Sequence, residues 1–236
     1  MPTEILVKDL RQAFDQAREL DGSMAERLDV FADAVRTLHP STAAIVDRLV
    51  ARLRQHEAGE DAPKPGDVMP TFVLPDETGR LMSLKDLLAQ GPAVVTFHRG
   101  HWCPYCRISI NALAKANDIV SREGAQIIGI VPERQQYAVE FKNDGQATFP
   151  ILTDMDNGYA MSLNLAVWVG EELRQFMRDQ LGNDIPRFQG NDSWILPIPA
   201  TFVVGRDGIV TARFVDPDYR KRMAIDDLIA ALRHQI

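Results

Sequence analysis

The feature that most constrains the fold of this chain is a pair of cysteines placed where a strand gives way to a helix. Residues 94–97 (VVTF) form a β-branched run that predicts a strand, and a glycine-containing turn follows it. The motif Cys-Pro-Tyr-Cys at residues 103–106 then opens an amphipathic helix predicted over residues 104–121. The chain contains no other cysteine, so a disulfide-stapled scaffold is excluded and the pair is either a redox dithiol or half of a metal site.

The position of the motif favours thiol redox chemistry. The first turn of a helix has free backbone N–H groups and the positive end of the helix dipole, which stabilise an anion. The sequence therefore predicts a lowered pKa for Cys103, which would make it a nucleophile at neutral pH. Cys106 lies three residues further on, so it is a neighbour on the same helical face and can close a disulfide with Cys103.

A zinc site that adds His98 or His101 to the cysteine pair is the alternative. Structural zinc needs four ligands, usually as two separated pairs, and the chain offers one cysteine pair with two histidines whose strand-turn positions diverge. The redox interpretation is therefore preferred, and we expect neither a metal nor another bound cofactor. The two histidines are interpreted as a strand-end residue and a loop residue rather than as catalytic bases. Trp102 is interpreted as either core filler or a cover over the sulfurs.

The rest of the chain divides into a helical N-terminal extension and an α/β body. Apolar residues at three- and four-residue steps predict three helices within residues 1–55, and the polar, Pro- and Gly-rich residues 56–67 form a linker. Beyond the linker, a strand, a helix and a second strand (94–131) are followed by a hairpin and a C-terminal helix. The pattern predicts an α/β fold with a mixed sheet, with the extension and its linker at residues 1–62 and the main domain at residues 63–236.

Composition and charge exclude several classes of function. Asp and Glu outnumber Lys and Arg by 33 to 26, which gives a net charge of −7. The chain has no block of basic residues, so neither nucleic acid nor an anionic membrane surface is an expected partner. Its start is dotted with charged side chains instead of carrying a secretory signal, and no uncharged stretch is long enough to span a bilayer. A cytoplasmic location is therefore predicted.

Several segments resemble a known superfamily. FHRGHWCPYC (residues 97–106) and IPATFVVGRDG (residues 198–208) look like the thioredoxin superfamily, while PTFVLPDETGRLMSLKDL (residues 70–87) and FPILTDMDNGYA (residues 149–160) are similar to peroxiredoxins, the alkyl hydroperoxide reductase/thiol-specific antioxidant family. The resemblance covers residues 65–236. It implies a thioredoxin-like fold, with a central mixed sheet flanked by helices, and a cis-proline at Pro199 that faces the dithiol.

The cysteine motif departs from the pattern of that family. By strand alignment, the resemblance places Cys106 at the position of the family's peroxide-attacking cysteine. The family's proline, threonine and arginine positions are then occupied by Arg99, Cys103 and Pro199 respectively. If the substrate is a peroxide, the resemblance makes Cys106 the attacking thiolate and Cys103 the resolving thiol. Arg99 is a candidate source of positive charge near the sulfurs, with an ordinary strand-end ion pair as the alternative.

Together these observations predict a thiol-disulfide oxidoreductase of peroxiredoxin-like type, with Cys103 as the nucleophile and antioxidant peroxidase activity left open. Its substrate would be a peroxide or a disulfide, and its electron donor an external thiol such as a thioredoxin-like protein or glutathione. A homodimer is also left open. The competing hypothesis is a non-catalytic redox-sensing or protein-binding module with a regulatory disulfide.

Disulfide exchange is predicted to be faster than peroxide reduction. Peroxide reduction needs donors placed in advance around the oxygen that leaves, and the resemblance assigns them to a threonine and an arginine. In this chain those positions hold the thiol of Cys103 and the ring of Pro199, which are poor substitutes.

Overall fold

The computed structural model describes residues 2–233, with side chains described from residue 9 onward. The helices are α1 (Pro2–Glu19), α2 (Met24–Leu38), α3 (Pro40–Gln55), α4 (Leu84–Gln90), α5 (Pro104–Arg122), α6 (Gln135–Gly145), α7 (Gly158–Ser162), α8 (Glu171–Asp179), α9 (Ile185–Gln189) and α10 (Ile225–Arg233). The strands are β1 (Val73–Pro75), β2 (Leu81–Ser83), β3 (Ala93–Phe97), β4 (Gln126–Val131), β5 (Ile151–Thr153), β6 (Ala166–Trp168), β7 (Ile195–Pro197), β8 (Ala200–Val204) and β9 (Val210–Val215). None of the described helices combines the length and apolar character that a bilayer crossing requires.

Five strands form a central mixed sheet in the order β5-β4-β3-β8-β9. β4 lies parallel to both β3 and β5, whereas β8 lies antiparallel to both β3 and β9. All side chains of β3 are buried, as expected of a central strand that is covered on both faces. The predicted α/β fold with a mixed sheet is confirmed. Because β3 and β4 are parallel, their carboxyl ends meet at one edge of the sheet, and the cysteine motif follows β3 at this edge.

α5 begins at the cysteine motif, where the sequence predicts it. Cys103 is the N-cap residue, and Pro104 takes the first helical turn, where a missing N–H leaves no intrahelical bond unmade. One face of the helix, which includes Ile110 and Leu113, is buried in the core. This packing fixes the start of α5 at the carboxyl edge of the sheet.

The N-terminal helices pack against the body instead of standing apart from it. Ser23 and Glu26 form the predicted capping box at the start of α2, where the Glu26 N–H donates to the Ser23 hydroxyl at 3.2 Å. The Phe31 ring lies edge-on to Tyr105 of α5, with centroids 5.1 Å apart, and to Phe14 of α1 at 6.0 Å. These rings share one buried cluster with the apolar face of α5. The helical extension is confirmed, while the division of the chain after residue 62 stays a prediction.

The structure contains short elements that the sequence pattern does not reveal. The β1–β2 hairpin and α4 precede β3, and the segment between β5 and β8 holds α7, α8, α9 and the β6–β7 pair. Strands of three residues and helices of five to nine are shorter than the window in which hydrophobic periodicity can be recognised. α8 packs Leu173 and Met177 into a cluster with Leu49 and Leu53 of α3, so it extends the surface that the N-terminal helices form.

Candidate active site

The two cysteines lie together at the carboxyl edge of the central sheet and are not joined by a disulfide. Cys103 caps α5 with an extended backbone (φ −88°, ψ 112°), and Cys106 sits in the first turn of the helix. Their exposed fractions are only 1% and 0%. The Cys103 N–H donates to the Gly100 carbonyl oxygen at 3.2 Å, which closes the turn that leads from β3. The predicted spacing thus brings the two sulfurs close enough for each to shift the pKa of the other.

Cys106 is surrounded by hydrogen-bond donors. The Arg99 backbone N–H donates to Cys106 Sγ at 3.4 Å, and Arg222 Nη2 donates to the same sulfur at 3.4 Å. Burial alone would raise the pKa of this thiol. Hydrogen bonds with Cys103 and His98, together with the positive charge of Arg222, instead lower the pKa of the thiol well below its usual range. Of the two sulfurs, Cys106 is therefore the one that ionises more readily.

The pKa of Cys103 is shifted in the opposite direction. Burial raises the pKa of its thiol well above the usual range, and the sulfur of Cys106 raises it further, against the opposing charges of two arginines. This corrects the prediction of a lowered pKa at Cys103. The helix N-terminus does favour an anion, but the anion forms at Cys106, where the donors converge, and a second negative charge beside it is unfavourable. The pair thus holds one readily lost proton and one firmly held proton.

His98, directly after β3, completes the surroundings of Cys106. The Thr96 hydroxyl donates to the Ile128 carbonyl oxygen at 3.0 Å, so it accepts the hydrogen bond from His98 Nε2, also at 3.0 Å. Burial lowers the pKa of His98, while the neighbouring Cys106 sulfur acts to raise it. Nδ1 is buried and makes no hydrogen bond to a described oxygen or nitrogen atom. It can therefore accept the proton that Cys106 loses, a role beyond the strand-end interpretation of this histidine.

A buried carboxylate holds the turn between β3 and α5. Glu133, which follows β4 and is 0% exposed, accepts hydrogen bonds from the His101 backbone N–H at 2.8 Å and from His101 Nδ1 at 2.7 Å. The His101 ring is stacked on Tyr137, with centroids 4.9 Å apart, and meets Phe188 edge-on at 4.7 Å. His101 thus anchors the turn, in agreement with its interpretation as a loop residue.

Arg99 and Trp102 lie beside Cys103. The Arg99 guanidinium carbon is 3.8 Å from the centroid of the Tyr219 ring and 4.9 Å from that of Trp102. Arg99 is 4% exposed and forms no ion pair with a carboxylate in the described part of the chain. Its charge opposes the rise in the pKa of Cys103. The guanidinium therefore acts on Cys103, while only the backbone N–H of Arg99 reaches Cys106.

Comparison with known proteins assigns this arrangement to a family. Residues 65–213 match the model described as the AhpC/TSA family. The chain belongs to the AhpC/TSA family. Peroxiredoxin Bcp of Escherichia coli (strain K12) is 28% identical over 94 residues, which are 40% of this chain and 60% of that protein. The thiol-disulfide oxidoreductase ResA of Bacillus subtilis (strain 168) is 28% identical over 100 residues, which are 42% of this chain and 55% of that protein. The chain therefore spans about 55–60% of the length of these relatives.

Solved structures in the same group share the fold. Peroxidoxin BcpB from Mycobacterium tuberculosis superposes with a TM-score of 0.57 at 22% identity, over 73% of this chain and 97% of that chain. Peroxiredoxin Q of Xanthomonas campestris gives a TM-score of 0.52 at 16% identity, over 69% and 90%. The predicted thioredoxin-like fold is confirmed. The AhpC/TSA match begins at residue 65 and ends at residue 213, so helices α1–α3 precede it and Arg222 follows it.

Pro199 lies in a segment whose backbone differs from the one that the resemblance implies. None of the peptide bonds in the described residues is cis, so the bond before Pro199 is trans, which corrects the expected cis-proline. The trans form is the lower-energy state of such a bond, and the preceding Ile198 is held in place by its N–H, which donates to the Leu165 carbonyl oxygen at 2.7 Å. Pro199 is buried between β7 and β8, and its part in the site stays a prediction.

Sequence reasoning missed the arginine that contacts the thiolate. Arg222 lies in the loop between β9 and α10, 116 residues from Cys106 along the chain. Tyr219, whose ring lies against Arg99, comes from the same loop. Contacts between residues so far apart depend on the tertiary fold and cannot be recognised from periodicity or spacing. The local signal that could have drawn attention to the loop is the basic run RKR at residues 220–222.

The described residues do not provide the ligands that the alternative zinc site would need. Among the described residues, no group of three or more His, Cys, Asp or Glu side chains is arranged to hold a metal ion. The His101 Nδ1 atom that such a site could use bonds to Glu133 instead.

Proposed function

We propose that this protein is a thiol peroxidase in which the Cys106 thiolate attacks the peroxide. The observation that carries the proposal is the convergence of three groups on this sulfur, namely the Arg99 N–H, Arg222 Nη2 and the His98 ring. A thiolate is the attacking species, so a thiol with a lowered pKa is ready to react at neutral pH. Membership of the AhpC/TSA family, and similarity to a protein named peroxiredoxin Bcp, support the same chemistry.

The reaction can be completed by the two cysteines and an external thiol. The Cys106 thiolate attacks one peroxide oxygen, and the S–O bond forms as the O–O bond breaks. This step gives Cys106 sulfenic acid and an oxygen anion, which takes up a proton and leaves. The Cys103 thiol then attacks the sulfenic sulfur, which forms the Cys103–Cys106 disulfide and releases water. An external dithiol, or two monothiols, reduces this disulfide, becomes oxidised itself and restores both cysteines.

Arg222 changes the balance between the two reactions that the sequence leaves open. The prediction that disulfide exchange is faster depends on the missing donors at the family's threonine and arginine positions. Arg222 reaches Cys106 from a different element and supplies a guanidinium, which combines a positive charge with a hydrogen bond. We therefore expect peroxide reduction to be the faster reaction.

The second candidate is a thiol-disulfide oxidoreductase that uses Cys103 as its nucleophile. One observation favours this candidate: Cys103 lines a cleft between the body and the N-terminal helices, where a substrate could reach it. The similarity to ResA, which is named a thiol-disulfide oxidoreductase, points the same way. A sensing module with a regulatory disulfide would form the same disulfide without turnover.

The partners and the location complete the proposal. The oxidised pair needs an external thiol reductant, for which a thioredoxin-like protein and glutathione are both candidates. The chemistry proposed for the two cysteines requires no bound metal or organic cofactor. A cytoplasmic location suits a dithiol that must be returned to its reduced form after each turnover.

Turnover measurements separate these candidates. The reduced protein is mixed with hydrogen peroxide or with a protein disulfide, with dithiothreitol as the electron donor, and the loss of each oxidant is followed. The proposal expects catalytic loss of peroxide with the larger second-order rate constant, and one intramolecular disulfide per chain without covalent dimers. A faster reaction with the disulfide would favour the oxidoreductase. Disulfide formation without turnover of either oxidant would favour the sensing module.

A further inference from the structure

The N-terminal helices and the body enclose a cleft that hydrogen peroxide alone does not explain. Its volume is about 700 Å³, within the range of sites that bind small organic molecules. Apolar side chains of α1, α2, α3 and α8 line it, among them Phe14, Phe31, Val35, Val46, Phe176 and Met177. Cys103 is part of the same lining, so the cleft reaches Cys103, behind which Cys106 is buried. A substrate with an apolar part would use this lining, because burying apolar surface is favourable.

Two donor groups beside Cys103, the Arg99 guanidinium and the Trp102 indole N–H, have no carboxylate partner among the described residues. Arg99 lines the cleft, is 4% exposed and has no carboxylate partner in the described part of the chain. Trp102 also lines the cleft, and its buried indole N–H makes no hydrogen bond with any described residue. The Arg99 guanidinium lies against the Tyr219 ring, which does not neutralise its charge, and the buried Trp102 N–H is unfavourable without an acceptor. Both groups therefore suit a ligand whose head group carries negatively charged oxygen.

The charge balance at the sulfurs favours a leaving group that stays ionised. Attack by the Cys106 thiolate transfers one negative charge to the oxygen that leaves. The neighbouring thiol, Cys103, gives up its proton to this oxygen less readily than an ordinary thiol would, because burial and the adjacent sulfur raise its pKa. An alkoxide released from an alkyl hydroperoxide must take up a proton, whereas a carboxylate released from a peroxycarboxylic acid leaves as an anion. The Arg99 guanidinium can receive that charge.

We propose that the cleft binds the acyl chain of an aliphatic peroxycarboxylic acid, with its peroxy head group at Arg99 and Trp102 beside Cys103. This inference rests on the proposed peroxidase function and names its substrate class. The Cys106 thiolate attacks the terminal peroxy oxygen, the S–O bond forms and the O–O bond breaks. The products are Cys106 sulfenic acid and the carboxylate of the fatty acid, so the single negative charge passes from sulfur to carboxylate. The chain lies along the apolar wall formed by α1, α2 and α8.

A chain-length series tests the apolar wall. Single-turnover rate constants of the reduced full-length protein are measured with peroxyacetic acid, peroxydecanoic acid and decyl hydroperoxide. The two peroxy acids share the same reacting group, so a difference between them reports contacts with the chain. We expect peroxydecanoic acid to react at least about tenfold faster than peroxyacetic acid, because several methylene groups leave water. Decyl hydroperoxide, with the same chain length and a poorer leaving group, should react more slowly than peroxydecanoic acid.

Binding of decanoate gives a readout that does not depend on redox activity. Calorimetric titration of the reduced protein should show one decanoate site per chain. Phe176→Ala should weaken decanoate binding and reduce the advantage of the longer peroxy acid. Arg99→Met keeps the backbone N–H on Cys106, and it should weaken decanoate binding and slow both peroxy acids by about tenfold or more. The matched control is Arg36→Gln, which removes an exposed arginine of α2 that pairs with Asp33, and it should change none of these values.

The possible outcomes separate this inference from the proposed function. If the protein reduces hydrogen peroxide but reacts equally fast with the two peroxy acids and does not bind decanoate, this inference is overturned and the proposed function stands. A rate constant for decyl hydroperoxide equal to that for peroxydecanoic acid would overturn the assignment of the head group. Binding of decanoate without reduction of any peroxide would support the chain site and overturn the proposed function.

Discussion

Two cysteines in one helical turn differ because their neighbours differ. The helix N-terminus is common to both, so it cannot decide which of them ionises. The Arg99 N–H and the Arg222 guanidinium both donate to Cys106, which lowers the pKa of this thiol. Burial and the adjacent Cys106 sulfur raise the pKa of Cys103, so Cys103 holds its proton more firmly. This division of roles suits a mechanism in which Cys106 attacks and Cys103 resolves.

The rate of peroxide reduction should depend on pH through Cys106. Because the pKa of Cys106 is lowered, the thiolate fraction and the rate constant rise with pH and level off well below the ordinary thiol pKa of about 8.5. Stopped-flow rate constants with hydrogen peroxide over a pH series, at fixed ionic strength, give the midpoint. A midpoint at or above the ordinary value would show that the surrounding donors do not stabilise this thiolate.

Replacing Arg222 by methionine should slow peroxide reduction and raise the midpoint of its pH profile. The substitution removes one placed donor, a loss that typically lowers a rate by on the order of 10²–10³. The same stopped-flow series measures both effects. Arg233→Gln is the control, since it removes an exposed arginine of α10 that pairs with Glu123, and it should leave both values unchanged. An Arg222→Met protein with the wild-type rate and midpoint would show that the guanidinium takes no part in the reaction.

Among the elements, the turn between β3 and α5 is the one on which the site most depends. Gly100 in this turn has a φ of +139°, and an added Cβ would lie 2.5 Å from the Glu133 carboxyl group. Gly100→Ala should therefore lower the free energy of unfolding by about 1–3 kcal/mol and also slow peroxide reduction, because the turn carries the N–H that binds Cys106. Urea unfolding and the peroxide rate constant measure the two effects.

Gly182→Ala is the matched control for this substitution. Gly182 also has a positive φ of +65°, but no heavy atom lies within 4 Å of an added Cβ. The Gly182→Ala protein should show the effect of backbone strain alone. Its free energy of unfolding should fall by less than that of Gly100→Ala, and its peroxide rate constant should be unchanged. Equal effects of the two substitutions would contradict the packing described at Gly100.

The N-terminal helices should contribute to the stability of the body. Phe31, which is 4% exposed, packs between Phe14 and Tyr105, so Phe31→Ala should lower the free energy of unfolding by about 3–5 kcal/mol. Denaturant unfolding of the full-length protein measures this change. Asp33→Ala, on an exposed face of the same helix, should change the free energy by less than about 1 kcal/mol. A change at Phe31 as small as that at Asp33 would mean that the helices are not docked.

The elements also show how far the sequence predicts this structure. The strands and helices around the cysteine motif, and the hairpin near residues 205–208, follow from periodicity and turn residues, which are local properties. The short elements at residues 155–198 and the trans bond before Pro199 do not, because tertiary packing decides them. The same holds for the pKa of Cys106, since its arginine comes from a distant loop. The sequence identifies both cysteines but not which of them ionises.

At the scale of the whole molecule, the site combines residues of the AhpC/TSA match with residues that precede and follow it. Residues 65–213 match the AhpC/TSA family and contain the cysteine motif. The loop before α10 supplies Arg222, and the N-terminal helices close the cleft over Cys103. Both additions lie outside the matched residues. The family thus accounts for the fold, while segments outside the matched residues supply the arginine that contacts Cys106 and the helices that line the cleft.

The most direct test of Cys106 as the attacking sulfur is single-turnover oxidation of two single-cysteine proteins by hydrogen peroxide. Cys103→Ser and Cys106→Ser are reduced, mixed with peroxide in a stopped-flow instrument, and trapped with dimedone so that mass spectrometry locates the sulfenic acid. Cys103→Ser should retain a rate constant within about tenfold of the wild type and form sulfenic acid at Cys106, because the donors on that sulfur remain. Cys106→Ser should lose the fast reaction. A fast reaction of Cys106→Ser, with sulfenic acid at Cys103, would contradict the proposed mechanism.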